Sequence, residues 1–161
     1  DALDAGTIDI GLLRPHPPHG GLASVPFGRE GLMLAVQQSE AGRWPAAPTL
    51  EALEGQRLLT YSPYEAHYFY QLVQTALAQA GVRPNIIEYV PQIHTMLALV
   101  DCGIGVALIP ETASRLHFAG VVLRRVRMKP ARPVEMAYSY REDNDNPILR
   151  IFREEIVAAT H

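Results

Sequence analysis

The sequence predicts a layered α/β fold, and three observations carry that reading. Short apolar runs of strand length alternate with stretches of helical periodicity along the chain. Glycines stand where helices have to stop, at Gly81 and Gly103. The third observation is residues 92–110, which read as a polar turn, a short helix, a glycine stop and a buried strand closed by Pro110. Ile93, Met96, Leu97 and Val100 there fall at three- and four-residue steps and share one helix face. Val106 to Ile109 form the continuous apolar run of a strand buried on both faces. The alternation predicts parallel strand pairing.

The elements follow in order. Ile8 to Leu13 is a strand. Arg14 to Gly21 is a loop, because its prolines and glycines hold neither helix nor central-strand geometry. Ala23 to Phe27 and Leu32 to Val36 are the next strands, broken at Gly28 and Gly31. Gln37 to Pro48 is polar loop, and Thr49 is the expected N-cap of a short helix ended by Gly55. Leu58 to Tyr61 is a buried strand, Ser62 to Ala66 a turn, and His67 to Ala80 a helix. That helix carries the stripe Phe69, Leu72, Val73, Ala76, Leu77 and Ala80. Asn85 to Val90 is a strand, followed by the helix and strand of 92–110. A short helix from Thr112 to Phe118 and strands at Val121 to Val126 and Pro133 to Tyr140 come next. Pro147 starts a last amphipathic helix with Ile148, Ile151, Phe152 and Ile156.

The segment from Gln92 through Leu99-Val100, Gly103, Gly105-Val106, Leu108 and Pro110 resembles the second subdomain of LysR-type effector-binding domains. Gly6 to Arg14 looks like a strand of that family with a Gly-x-Leu/Ile-Asp-Ile-Gly-Leu pattern, and Phe27 to Val36 like the strand that leads into the crossover. The strand at Leu58 to Tyr61, the helix from His67 and the strand at Met136 to Tyr140 match in order and spacing, so the resemblance covers nearly the whole chain. It implies a type 2 periplasmic-binding-protein-like architecture, with two Rossmann-like lobes, two crossovers and an incomplete first lobe. The crossovers are expected near Val36 to Gln38 and near Pro130 to Glu135. Residues 1–36 with 136–161 would form lobe I, and 37–135 lobe II. Asp1 to Gly6 reads as the tail of a helix running into a strand. The chain is therefore expected to be part of a longer regulator, whose helix-turn-helix and linker helix precede it.

Composition bounds the function. The 161 residues suit one domain or two small lobes, and 48% hydrophobic with 19% charged residues is ordinary for a soluble globular protein. A net charge of −3 gives no global attraction to nucleic acid. DNA contact is expected only through the N-terminal domain that the resemblance implies. No apolar run reaches membrane-spanning length, and no signal segment opens the chain. The single Cys102 cannot close an internal disulfide, and a cytoplasmic location is expected. The resemblance implies a homo-oligomer, dimer or tetramer.

Ligands of open α/β sheets sit beyond the carboxyl ends of strands, where loops meet helix N-termini. Two such places are Tyr61 to Tyr68 and Pro91 to Thr95, and free N–H groups favour a carboxylate at each. Tyr61, Ser62, Pro63, Tyr64, His67 and Tyr68 are the expected effector residues at the first, and Gln92 and Ile93 at the second. The plainer alternative is that these tyrosines only cover the lobe. Arg14 ends the first strand, and a guanidinium can grip a carboxylate through two parallel hydrogen bonds. The resemblance implies a role for an arginine there in the branch that senses aromatic acids. The plainer alternative is an exposed loop arginine.

Other groups fare worse. His16 and His19 lack an acidic or cysteine partner, so no metal is expected. Gly103-Ile104-Gly105 lacks the rest of a phosphate loop, and Ser62 lacks a nucleophile-elbow frame. The run Arg124, Arg125, Arg127, Lys129 and Arg132 has no interleaved aromatics and reads as a solvated strand edge. No cofactor and no enzymatic chemistry are expected. The reading is a sensor of a small anionic, aromatic organic acid bound between two lobes. An extracytoplasmic solute-binding protein of the same fold is the alternative.

Overall fold

The computed structural model describes residues 2–15 and 20–159. His16, Pro17, Pro18 and His19 lie outside the described residues, and so does the metal question raised for the two histidines. The chain forms two compact units, residues 1–29 with 135–161, and residues 30–134.

The first unit is a three-stranded sheet and a helix. Its strands are β1 (Ile10–Leu13), β2 (Leu22–Glu30) and β8 (Val134–Arg141), with β8 in the middle. β1 runs antiparallel to β8, Ile10 opposite Tyr140 and Leu13 opposite Ala137. Leu3, Leu22, Ala137, Tyr138 and Leu149 are its buried apolar residues. Helix α3 (Pro147–Ala159) begins as Pro147 predicts, with one addition. Asn146 is a side-chain cap: its Oδ1 accepts the Ile148 N–H at 3.0 Å. Arg153 lies 4.2 Å over the Tyr140 ring.

The second unit is built on a five-stranded sheet in the order β5-β4-β6-β3-β7. The strands are β3 (Leu32–Gln37), β4 (Arg57–Tyr61), β5 (Asn85–Val90), β6 (Val106–Pro110) and β7 (Val121–Arg125). Helices α1 (His67–Ala80) and α2 (Ile93–Asp101) connect β4 to β5 and β5 to β6. The core holds Leu34, Val36, Leu58, Leu59, Tyr61, Val73, Leu77, Met96, Leu97, Val100, Leu108 and Ile109, all buried. The predicted stripes of both helices supply their share of it.

Several sequence expectations change. β4 pairs in parallel with β5 and β6, but β3 is antiparallel to both β6 and β7, so the sheet is mixed. β2 runs through Gly28 without a break, and only Gly31 separates it from β3. The segment 30–36, expected with the first unit, belongs to the second. The reason is its pairing: Leu32 lies opposite Pro110 and Val36 opposite Val122. The second boundary falls between Val134 and Glu135. The expected loop 37–48 contains a 3₁₀ helix, Gln38–Arg43. The short helices at Leu50–Leu53 and Glu111–Arg115 are also 3₁₀, and Thr49 makes no side-chain cap bond.

Candidate functional site

The two predicted loops of the second unit lie side by side. β4 and β5 are parallel neighbours with Tyr61 in register with Val90, so both chains leave the sheet at the same edge. The Ser62 N–H donates to the Val90 carbonyl at 3.1 Å, which ties the start of one loop to the end of the other strand. α1 and α2 then begin at that edge. Their N-cap residues, Ala66 and Gln92, make no side-chain cap bond. The helical ladders open with Tyr70 N–H to Ala66 O and Met96 N–H to Gln92 O, both at 3.0 Å. The N–H groups of the first turns therefore lack ladder partners, with the positive ends of both dipoles beside them.

Within this frame the predicted residues divide. Tyr64 is 90% exposed at the loop tip. His67, Gln92 and Thr95 are exposed, and Pro63, Tyr68 and Ile93 are half-buried. The Nδ1 of His67 lies 3.1 Å from the Pro63 carbonyl, which can only accept, so that nitrogen carries a proton in this contact. Tyr61 is different. It is 1% exposed and its ring stacks on Phe69 at 4.8 Å between centroids, so it supports the loop from below. Tyr68 packs edge-on against the same Phe69 at 5.3 Å.

Ser62 is buried and already engaged. Its hydroxyl donates to the Glu65 carboxylate, and its Oγ accepts the Tyr64 N–H at 3.3 Å. That hydrogen bond, together with the loop's own N–H, holds the Glu65 carboxyl below the ordinary glutamate range. Glu65 is thus an anion at the mouth of a site expected to receive one. Glu65 was not among the expected effector residues, although the spacing Ser62-x-x-Glu65 is the signature of a capping box and could have signalled the pair.

Arg14 belongs to the first unit. It is half-buried rather than loosely exposed, and its Nη1 donates to the Glu135 carbonyl at 2.9 Å where β8 begins. Of the other basic residues, the exposed Arg125 pairs with Glu111 and the exposed Arg127 donates from Nε to the Ala47 carbonyl at 3.0 Å, whereas Arg124 is half-buried against the expectation of a solvated edge. Among the described residues there is no group of three His, Cys, Asp or Glu that could hold a metal ion. None of their helices is long and apolar enough to cross a membrane.

Comparison with known proteins agrees with this arrangement. The chain is 28% identical over 152 residues to the HTH-type transcriptional regulator AlsR of Bacillus subtilis, covering 94% of the chain and 50% of that protein. It is 30% identical over 153 residues to the regulator ClcR of Pseudomonas putida, covering 94% and 51%. It therefore spans about half the length of the curated relatives it matches. The crystal structure of CbnR, a LysR family transcriptional regulator, superposes with a TM-score of 0.88 at 26% identity over 96% of this chain and 53% of that one. The BenM effector binding domain, solved with its effector benzoate, superposes with a TM-score of 0.86 at 21% identity over 98% and 72%. The fold is the type 2 periplasmic-binding-protein-like fold of such domains. Residues 1–160 match the LysR substrate binding domain, and with strands, helices and loops in that family's order the chain belongs to it.

Proposed function

We propose that this chain is the effector-sensing part of a transcriptional regulator and binds a small organic acid, aromatic in character. The observation that carries the reading is the pair of uncapped helix N-termini at the adjoining carboxyl ends of β4 and β5. The effector carboxylate is received by the first-turn N–H groups of α1 and α2, with Gln92 and Ile93 at the second and Ser62, Pro63, Tyr64, His67 and Tyr68 lining the site. Tyr61 supports this loop. Arg14 contributes a cation on the strength of its motif position. Benzoate as the effector of BenM supports an aromatic acid here by analogy.

Glu65 narrows the ligand class. A bare carboxylate meets its charge, whereas an acid that also carries a hydroxyl or amine can donate to it. Binding would shift the balance between two arrangements of the full-length protein by the difference in affinity for them. Homo-oligomerisation, a cytoplasmic location and DNA contact through an N-terminal helix-turn-helix are part of the same proposal. The relatives are regulators, which favours this over a solute-binding protein.

Calorimetric titration of benzoate and its hydroxy derivatives into the chain tests the reading. Arg14→Ala is expected to weaken an acid by roughly 1.5–3 kcal/mol if its charged hydrogen bond to the ligand forms. Equal affinity of wild type and Arg14→Ala removes Arg14 from the site. Absence of binding by every acid, with the fold intact, overturns the proposal.

A further inference from the structure

The second unit has a cavity of about 240 Å³ at the end of the sheet opposite the Ser62 loop. It opens where β4 begins at Arg57, β6 begins at Val106 and β3 ends at Gln37. The five residues of β4 put roughly 16 Å between the two ends.

The walls are fixed. Gln37 donates from Nε2 to the Asp101 carbonyl at 2.9 Å and accepts from the Ser39 hydroxyl at 3.0 Å, so its amide is committed to holding the wall. Trp44, half-buried, and Ile104, 38% exposed, line the cavity with apolar surface. The polar lining is rich in donors. Arg43 is paired with Glu40. Arg57 makes no ion pair or side-chain hydrogen bond among the described residues, and Gln56 and the Trp44 indole N–H add further donors. The one lining carboxylate, Glu40, is taken up by Arg43. An apolar cavity of about 150 Å³ is enough to hold benzene, so this one has room for a ring with a substituent.

We propose that this cavity is a second small-molecule site, separate from the effector loops, for a compact planar ring carboxylate. The ring lies against Trp44, and the carboxylate meets the free guanidinium of Arg57.

The test uses the chain labelled with ¹⁵N. Trp44 is the single tryptophan, so the indole N–H gives one signal that reports on this cavity alone. Nicotinate and its neutral analogue nicotinamide are the probes. Nicotinate is expected to shift the indole signal saturably at about millimolar concentration, as a ligand of this size with modest efficiency would. Nicotinamide is expected to bind roughly tenfold more weakly, the loss of one charged hydrogen bond. Arg57→Gln, at an exposed strand start, should bring nicotinate down to the nicotinamide level and leave nicotinamide unchanged. Ser62→Ala should alter neither titration, which separates this site from the effector loops. The proposal is overturned if nicotinate gives no saturable indole shift, if both probes bind equally, or if Arg57→Gln has no effect. It is also overturned if the indole signal moves with protein concentration alone, which would mean that a second copy of the chain fills the cavity.

Discussion

Gly105 offers the most direct test of how the sheet that carries the loops is packed. It stands just before β6, and a Cβ placed on it would lie 2.7 Å from the Arg57 carbonyl oxygen and 2.9 Å from Ile87 Cδ1. Carbon and oxygen approach to about 3.3 Å at closest in ordinary contacts, so Gly105→Ala requires a movement of roughly 0.6 Å. The Ile87 methyl can turn aside. The Arg57 carbonyl cannot, because β4 is paired with β5 on one side and β6 on the other. Overpacking of this kind costs about 1–3 kcal/mol. Losing a glycine from the unfolded chain returns about 0.4–1 kcal/mol, so a net loss of about 1–2 kcal/mol is expected. For a chain of this size that is a fall in Tm of roughly 2–8 °C. Scanning calorimetry of Gly105→Ala beside Gly42→Ala measures it, since a Cβ at Gly42 meets nothing within 4 Å. Equal transitions for both variants would refute the packing argument.

Two side-chain bonds give further expectations. Ser62→Ala removes the donor that depresses the Glu65 carboxyl, so that group should return toward the ordinary glutamate value in a ¹³C-detected NMR titration; an unmoved midpoint would assign the depression elsewhere. Because the folded pKa is the lower one, the stability from this bond is present above the unfolded value. It is lost as pH falls through the folded value, so wild type should lose more stability than Ser62→Ala over that acid range. Asn146→Ala should cost about 1 kcal/mol by loss of the α3 cap, whereas Asn146→Ser should keep a cap acceptor, read as thermal melts followed by circular dichroism; identical melts for these two variants would remove Asn146 as a cap.

What could be read beforehand differs from what could not in a physical way. α1 and α2 were legible because an apolar face every three to four residues and a left-handed glycine after it specify a helix and its end locally. The direction of β3 was not, because a strand buried on both faces shows the same apolar run in either orientation. Gly28 shows the converse error: a strand tolerates a glycine where its neighbours already hold it in the sheet. The two loops of the candidate site were legible from strand-then-helix order alone. The environment of each side chain within them was not. Tyr61 continues the run Leu58 to Tyr61, which is covered on both faces, and so its ring goes inward instead of to solvent. Arg14 finds its acceptor at Glu135, far along the chain, where no local pattern could point.

The pairing of β4 with β5 changes phase between Leu58 and Leu59, which lie opposite Ile86 and Glu88 and leave Ile87 unmatched. This bulge works as a length buffer. Removing Ile87 would close the ladder with Asn85 and Ile86 still opposite Arg57 and Leu58, and Glu88, Tyr89 and Val90 still opposite Leu59, Thr60 and Tyr61. The 91–95 loop and the start of α2 would stay where they are. The position of that loop is thus insulated from the loss of one residue at the bulge.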